Sequence, residues 1–161
     1  QPHPTQTRAY DNALVPAVAE EWVGATRVYR FEGSWDWVPR FRIGDHISSD
    51  IVNSLDLRHL SRTSNAGLLY EGFLYVEDSG KWTIESTSDS GIILKVHKSL
   101  VIDDNFKKDN GKASGSILLE AGHHPFTLYY RTKDEKPQLK LHLSGPNGSR
   151  QQLIPAPIPP V

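Results

Sequence analysis

The sequence predicts an all-β protein: an antiparallel two-sheet β-sandwich, jelly-roll-like, built as a single domain. Three observations carry this. Apolar residues recur with period two, turn-forming residues fall about ten residues apart, and no stretch holds a capped helical period over three turns. The 12 glycines and 11 prolines are spread singly between apolar runs, as turns between short strands require.

The elements follow in chain order. Residues 1–24 read as an N-terminal linker and lead-in, polar and stiff at Pro2 and Pro4 and interrupted at Pro16. The sandwich is expected over 25–154. Strands are expected at Arg27–Phe31 and Leu68–Val76. Next comes a strand in which Trp82 and Ile84 alternate with Lys81, Thr83 and Glu85, and then one in which Ile92, Leu94 and Val96 share a face. Ser99–Ile102, Ser116–Leu119 and Phe126–Arg131 follow, and Leu139, Leu141 and Leu143 alternate with Lys140, His142 and Ser144. Asp78-Ser79-Gly80, Asp89-Ser90-Gly91, Asn110-Gly111, Ala121-Gly122 and Asn147-Gly148 supply the turns, since these residues tolerate positive φ. Residues 155–161 read as a proline-rich spacer, and the stiff segments at both ends read either as spacers of a module in a longer protein or as ordinary disordered tails.

Composition narrows function. With 18 basic and 19 acidic side chains, and acids interleaved among lysines that all lie at Lys81 or beyond, no basic stripe forms to neutralise phosphates, so nucleic acid is not an expected partner. No apolar run reaches the roughly 20 residues of a membrane helix. The lack of cysteine removes disulfides, thiolate metal sites and cysteine nucleophiles. A monomer is expected, with neighbouring domains of the same chain as its partners.

No reactive constellation stands out. The seven histidines contain no pair at helical ligand spacing, and His97 and His142 read as outward strand positions. No serine sits in a Gly-x-Ser-x-Gly elbow. Glu20-Glu21 and Asp134-Glu135 lie in polar segments where both carboxyls are solvated. The module itself is therefore read as non-catalytic. The loop acids carry more. Asp89 precedes a glycine turn and Asp103, Asp104 and Asn105 close the next hairpin. Two such loops can offer hard oxygen ligands to calcium, and they can equally be turn formers bonding their own backbone. The segment from Asp104 through Asn105 and Phe106 to Asn110 combines carboxylates, amides and an aromatic, which is what a glycan's hydroxyls and ring faces require.

These residues together resemble the PA-fourteen (protective-antigen-type) β-sandwich, found in bacterial toxins, yeast adhesins and many glycoside hydrolases. Tyr29 to Trp35 with Val38-Pro39 is similar to the lead strand of versions attached to bacterial β-hexosaminidases. Phe73 to Val76 through Ser79-Gly80-Lys81-Trp82-Thr83-Ile84 matches the family's strand–turn–strand signature. Ser88-Asp89-Ser90-Gly91, Leu100-Val101-Ile102-Asp103, Leu119 to Pro125, Tyr129-Tyr130, Leu139 to Pro146 and Ile154-Pro155 match its later elements in order. The resemblance, from about Arg30 to Ile154, implies a secreted, periplasmic or cell-surface carbohydrate-binding module with ligand residues at Asp89, Ser90, Asp103, Asp104, Asn105 and Phe106. It also implies calcium on Asp89, with Asp103 or a later loop such as Asn147 as its second ligand. Sugar-binding members place two consecutive aspartates on that ion; here the second is Ser90, a neutral and weaker ligand. No other cofactor is implied. The same resemblance makes Trp35 a packing residue covering one end of the sandwich and leaves Trp37 open between packing and sugar stacking. The alternative function is a structural spacer or protein-interaction module without glycan binding.

Overall fold

The computed structural model describes residues 26–33, 35, 38–39, 41–55, 59–60, 65–88, 91–104, 112–132 and 138–156. Ten strands are assigned there: β1 Thr26–Glu32, β2 Ser48–Val52, β3 Ala66–Val76, β4 Gly80–Ser88, β5 Gly91–Val96, β6 Ser99–Asp104, β7 Lys112–Leu119, β8 Gly122–Thr132, β9 Leu139–Ser144 and β10 Arg150–Gln152. Every pairing is antiparallel. A six-stranded sheet runs β2-β1-β3-β8-β5-β6 and a four-stranded sheet runs β10-β9-β4-β7.

The inner faces meet in one apolar core. Trp82, Ile84, Leu94, Val96, Leu139, Leu141 and Leu143, the residues whose period-two spacing directs them inward, are all buried. Trp82 keeps its indole N–H satisfied by donating to the Asp78 carbonyl at 2.8 Å, so its burial strands no donor. Gly115 closes one side of the core. A Cβ there would lie 1.8 Å from the Val101 carbonyl oxygen, so only glycine lets the edge strands β6 and β7 approach so closely.

The outer face of the six-stranded sheet carries a second cluster. Phe31, Val38, Phe41 and Leu69 are buried there, with Tyr29, Trp35, Ile93 and Tyr129 packed against them. Phe41 stacks on Phe31 at 4.5 Å between centroids and meets Trp35 edge-on at 5.2 Å. Trp35 is thus packing, as expected, but it covers a sheet face rather than an end. Trp37 lies outside the described residues.

Two departures from the sequence expectation concern edges. β2 and β10 have no apolar alternation to betray them: their residues are exposed, apart from a half-buried Val52. A third concerns His97. It occupies the two-residue turn between β5 and β6 with φ of 55°, not an outward strand position. Its Nε2 lies 2.8 Å from His124 Nδ1, and His124 Nε2 lies 2.6 Å from the Glu120 carbonyl oxygen. A carbonyl only accepts, so His124 donates from Nε2 and takes the His97 N–H on Nδ1. The chain of bonds uses both rings neutral. Burial first, and the neighbouring His124 second, lower the His97 pKa to about 4, and burial also lowers that of fully buried His124.

Two outcomes follow. Gly115→Ala is expected to cost about 1–3 kcal/mol by overpacking, read as a lowered urea midpoint at unchanged m-value. The histidine chain makes stability fall with acid: the folded pKa lies below the unfolded value of 6.5, so the unfolded chain takes the proton first. The contribution is full above about pH 6.5 and is lost as pH falls towards 4. Discounted for the exposure of His97, it is about 1–2 kcal/mol. Melting temperatures from pH 7.5 to 4 check this; in His97→Asn, which tolerates the positive φ, the decline should be shallower.

Candidate functional site

The strand directions gather three connections at one end of the sandwich. β4 ends at Ser88 and β5 begins at Gly91, β6 ends at Asp104 and β7 begins at Lys112, and β8 ends at Thr132 before β9 begins at Leu139. The ladders confirm the alignment: Ser88 pairs with Leu139, Thr87 with Lys112, and Ile92 with Asp104. Residues 89–90, 105–111 and 133–137 therefore join strands at this end, and it is the end to which the sequence assigns its ligand residues.

Of those residues, Asp103 is placed. It is exposed near the end of β6, opposite Ile93. Asp104 closes β6 opposite Ile92, with its side chain outside the described set. Asp89, Ser90, Asn105 and Phe106 lie outside the described residues. Among the described residues, no group of three His, Asp or Glu side chains converges as a metal shell. The calcium reading thus rests on Asp103 within the described chain, and on Asp89 beyond it.

What the sequence did not reveal is the chemistry beneath these connections. Along β4 the inward positions run Trp82, Ile84, Ser86, Ser88, and along β8 they run Phe126, Leu128, Tyr130, Thr132. In its last layers the core mixes a buried hydroxyl floor of Ser86, Ser88 and Thr132 with Leu141 and Leu139, which pair with Ser86 and Ser88. Ser86 Oγ reaches the Ala113 carbonyl only at 3.5 Å. Thr132 Oγ1 is fully buried and has no hydrogen-bond partner among the described residues. Thr26 Oγ1 shares that state, against Gly72 in the middle of β3. Beside this floor Arg131 is also buried, flanked across the ladder by Gly67 and Gly91. A buried hydroxyl without a partner costs about 1–3 kcal/mol, so the Thr132 orphan, with buried Arg131 on the other face of the same strand end, is a sizeable polar investment for a domain end. The alternation of Leu128, Tyr130 and Thr132 could have signalled an inward threonine; which end of the sandwich it occupies could not be read without the topology.

Comparison with known proteins agrees with this architecture. The PA14 domain profile matches residues 63–155, more than half of the 161 residues, and the chain belongs to that family of β-sandwich modules. No curated protein sequence matches it. Among solved structures it is similar to an anti-sigma factor domain-containing protein from Clostridium clariflavum, with 17% identity, TM-score 0.65, and coverage of 91% of this chain and 51% of that one. It is also similar to the Epithelial Adhesin 9 A domain of Candida glabrata in complex with Galβ1-3GlcNAc, at 14% identity, TM-score 0.60, and coverage of 83% and 89%. A PA14 sugar-binding domain from an RTX adhesin matches at 10% identity, TM-score 0.58, and coverage of 83% and 96%. The chain spans about half the length of the anti-sigma factor domain-containing structures. At these identities the likeness is one of fold.

Replacing the orphan hydroxyl tests the floor. Thr132→Val keeps shape and removes the unsatisfied oxygen, so stability is expected to hold or to rise by up to about 1 kcal/mol in chemical denaturation. A loss greater than that shows that the hydroxyl has a partner inside the fold.

Proposed function

We propose that this chain is a non-catalytic carbohydrate-binding module that holds a longer secreted or cell-surface protein, such as a glycoside hydrolase, on its glycan. The observation that carries the reading is the hydroxyl floor at the loop-bearing end. A PA14 sandwich with buried hydroxyls beneath the connections that bear Asp89, Ser90, Asp103, Asp104, Asn105 and Phe106 supports the reading of a polar, uncharged ligand there. In two similar structures the described state or stated role is sugar binding, which supports the same reading for this chain. Carboxylates and amides would meet sugar hydroxyls, and Phe106 would offer its ring to an apolar sugar face. Ordering a loop on binding keeps affinity near the millimolar range, about −4 kcal/mol; display beside a catalytic domain compensates by raising local concentration.

Calcium enters as an accessory to Asp89 and Asp103. An oxygen-ligated ion would bridge protein and sugar hydroxyls, and Ser90 in place of a second carboxylate lowers the charge available to it. That same serine favours the second reading, a spacer that only orients its neighbours.

A glycan array followed by calorimetry, with and without calcium, is the test. Binding of neutral oligosaccharides that falls at least tenfold in Asp89→Ala and in Phe106→Ala supports the module. A melting temperature raised by millimolar calcium in the native chain and unchanged in Asp89→Ala assigns the ion to that loop. Silence across plant, bacterial and host glycans transfers the chain to the spacer reading.

A further inference from the structure

β3 is longer than the strand beside it. β1 pairs with it from Ala66 to Glu71, whereas β3 runs on to Val76, so among the described residues no strand flanks Gly72 to Val76 on that side. The chain after β10 takes the place instead. Leu153 donates its N–H to the Leu141 carbonyl at 2.9 Å on one sheet, and Ala156 donates its N–H to the Phe73 carbonyl at 2.8 Å on the other. Residues 153–156 thus strap the two sheets together along this edge. Beside the strap a pocket of about 240 Å³ remains, walled by Tyr75, Gln151, Gln152, Ile154 and Pro155 over buried Leu143.

Two properties of the pocket point to a ligand. The first is its neutrality. The chain has 18 basic and 19 acidic side chains, yet the lining of this pocket holds no carboxylate, cation or imidazole. A charged ligand would give up hydration there without meeting a counter-charge, and a neutral one would not. The second is Tyr75. Among the described residues it is the one exposed aromatic side chain, at 48%. His123, directly across the ladder, braces the ring from the β8 side with centroids 5.0 Å apart. The pocket lies on the other side, where β1 has ended. Exposed Gln151 and Gln152 bring amides to the same pocket, each with two N–H donors and an acceptor oxygen. A braced aromatic face beside amides, with no charge, matches a sugar ring: its C–H face meets the π surface and its hydroxyls meet the amides. A proline-rich peptide docks in grooves lined by several aromatics, and here there is one ring.

We propose that this pocket is a second binding site, taking one ring of a neutral oligosaccharide with its face on Tyr75 and its hydroxyls on Gln151 and Gln152. The volume lies below that of pockets for larger ligands, which suits a single ring rather than a run of them. The site stands at the opposite end from the ligand loops: Tyr75 comes just before the turn at residues 77–79, and β4 then runs about 25 Å back to Ser88. Two weak sites so far apart can hold one long polymer together, which raises avidity without a new contact at either. That the ligand is a saccharide rests on the carbohydrate-binding reading above; its place and its neutrality rest on this pocket alone.

The experiment is an NMR titration of the ¹⁵N-labelled whole chain. Cellotetraose and N-acetylchitotetraose are the neutral probes, tetragalacturonate the charged one, and decaproline the peptide. Variants are Tyr75→Ala, Tyr75→Phe, Gln151→Ala/Gln152→Ala and the loop control Asp89→Ala; the replaced side chains at the pocket are exposed, and thermal melts check folding. Expected are shifts at Tyr75 and residues 151–154 on adding a neutral probe, unchanged by salt and kept in Asp89→Ala and Tyr75→Phe. Affinity should fall about tenfold in Tyr75→Ala and in the glutamine pair variant. Shifts confined to the surroundings of Asp103, and lost in Asp89→Ala, overturn the second site and leave the loop-end reading standing. Shifts at the pocket without any at the loops support this site and overturn that reading. Tetragalacturonate bound at the pocket as tightly as the neutral probes overturns its neutrality, and decaproline bound there in place of the saccharides overturns the ligand class. Silence of every saccharide overturns both sites.

Discussion

The organisation of the molecule depends on how quickly the chain changes sheets. β4 belongs to the four-stranded layer and β5 to the six-stranded one, and only Asp89 and Ser90 stand between them. β3 to β4, β6 to β7, β7 to β8 and β8 to β9 also change layers. Each crossing obliges the next strand to run back on the opposite sheet. The connections therefore segregate: residues 77–79, 97–98, 120–121 and 145–149 fall at one end, and 89–90, 105–111 and 133–137 at the other. The two ends of the sandwich are thus set by topology alone. At the first of them Trp82 is tied to Asp78, and His97, His124 and Glu120 form their chain of bonds.

Legibility in the sequence followed the contrast between wet and dry faces. β4 and β9 each have one face in the core and one in water, so Trp82, Ile84, Leu139, Leu141 and Leu143 announce themselves by alternation. β3 is buried on both faces along most of its length, Leu68, Tyr70 and Leu74 in the main core and Leu69 under the second cluster, and it reads as two apolar runs divided by Glu71 and Gly72. β2 and β10 bury almost nothing and left no pattern; their existence is a matter of backbone pairing to β1 and β9. His97 was misplaced for a related reason. Counting by two carried the β5 strand one residue too far, and only a tertiary partner 27 positions away holds the ring where it is.

The site was legible to the extent that turn chemistry and ligand chemistry share residues. Aspartates at strand ends mark a connection whether or not they bind anything, and Asp103 lies near the end of β6, where the sequence reading set a connection. The hydroxyl floor is different in kind. Ser86, Ser88 and Thr132 come from two strands in different sheets, and they become one feature only when both sheets are stacked. The outer row of the four-stranded sheet is likewise a product of register: Lys112, Thr87 and Lys140 are neighbours because β7, β4 and β9 align there. An interior that turns polar towards one end gives up apolar contact in the last layers, which is the general cost of building recognition into a scaffold rather than onto it.

The roof formed by Trp35, Val38 and Phe41 has a bearing on where this module can be cut. Phe41 sits over Gly67 so closely that a Cβ at Gly67 would come within 2.2 Å of its ring. The PA14 profile starts at residue 63, downstream of this roof and of both β1 and β2. A fragment trimmed to the matched region would lay bare Leu69 and an entire edge of β3 that β1 otherwise pairs from Ala66 to Glu71. Such an edge is open to pairing with other chains. The stretch matched by the family profile is thus shorter than the sandwich itself, whose outer roof and β1–β2 edge are supplied from upstream.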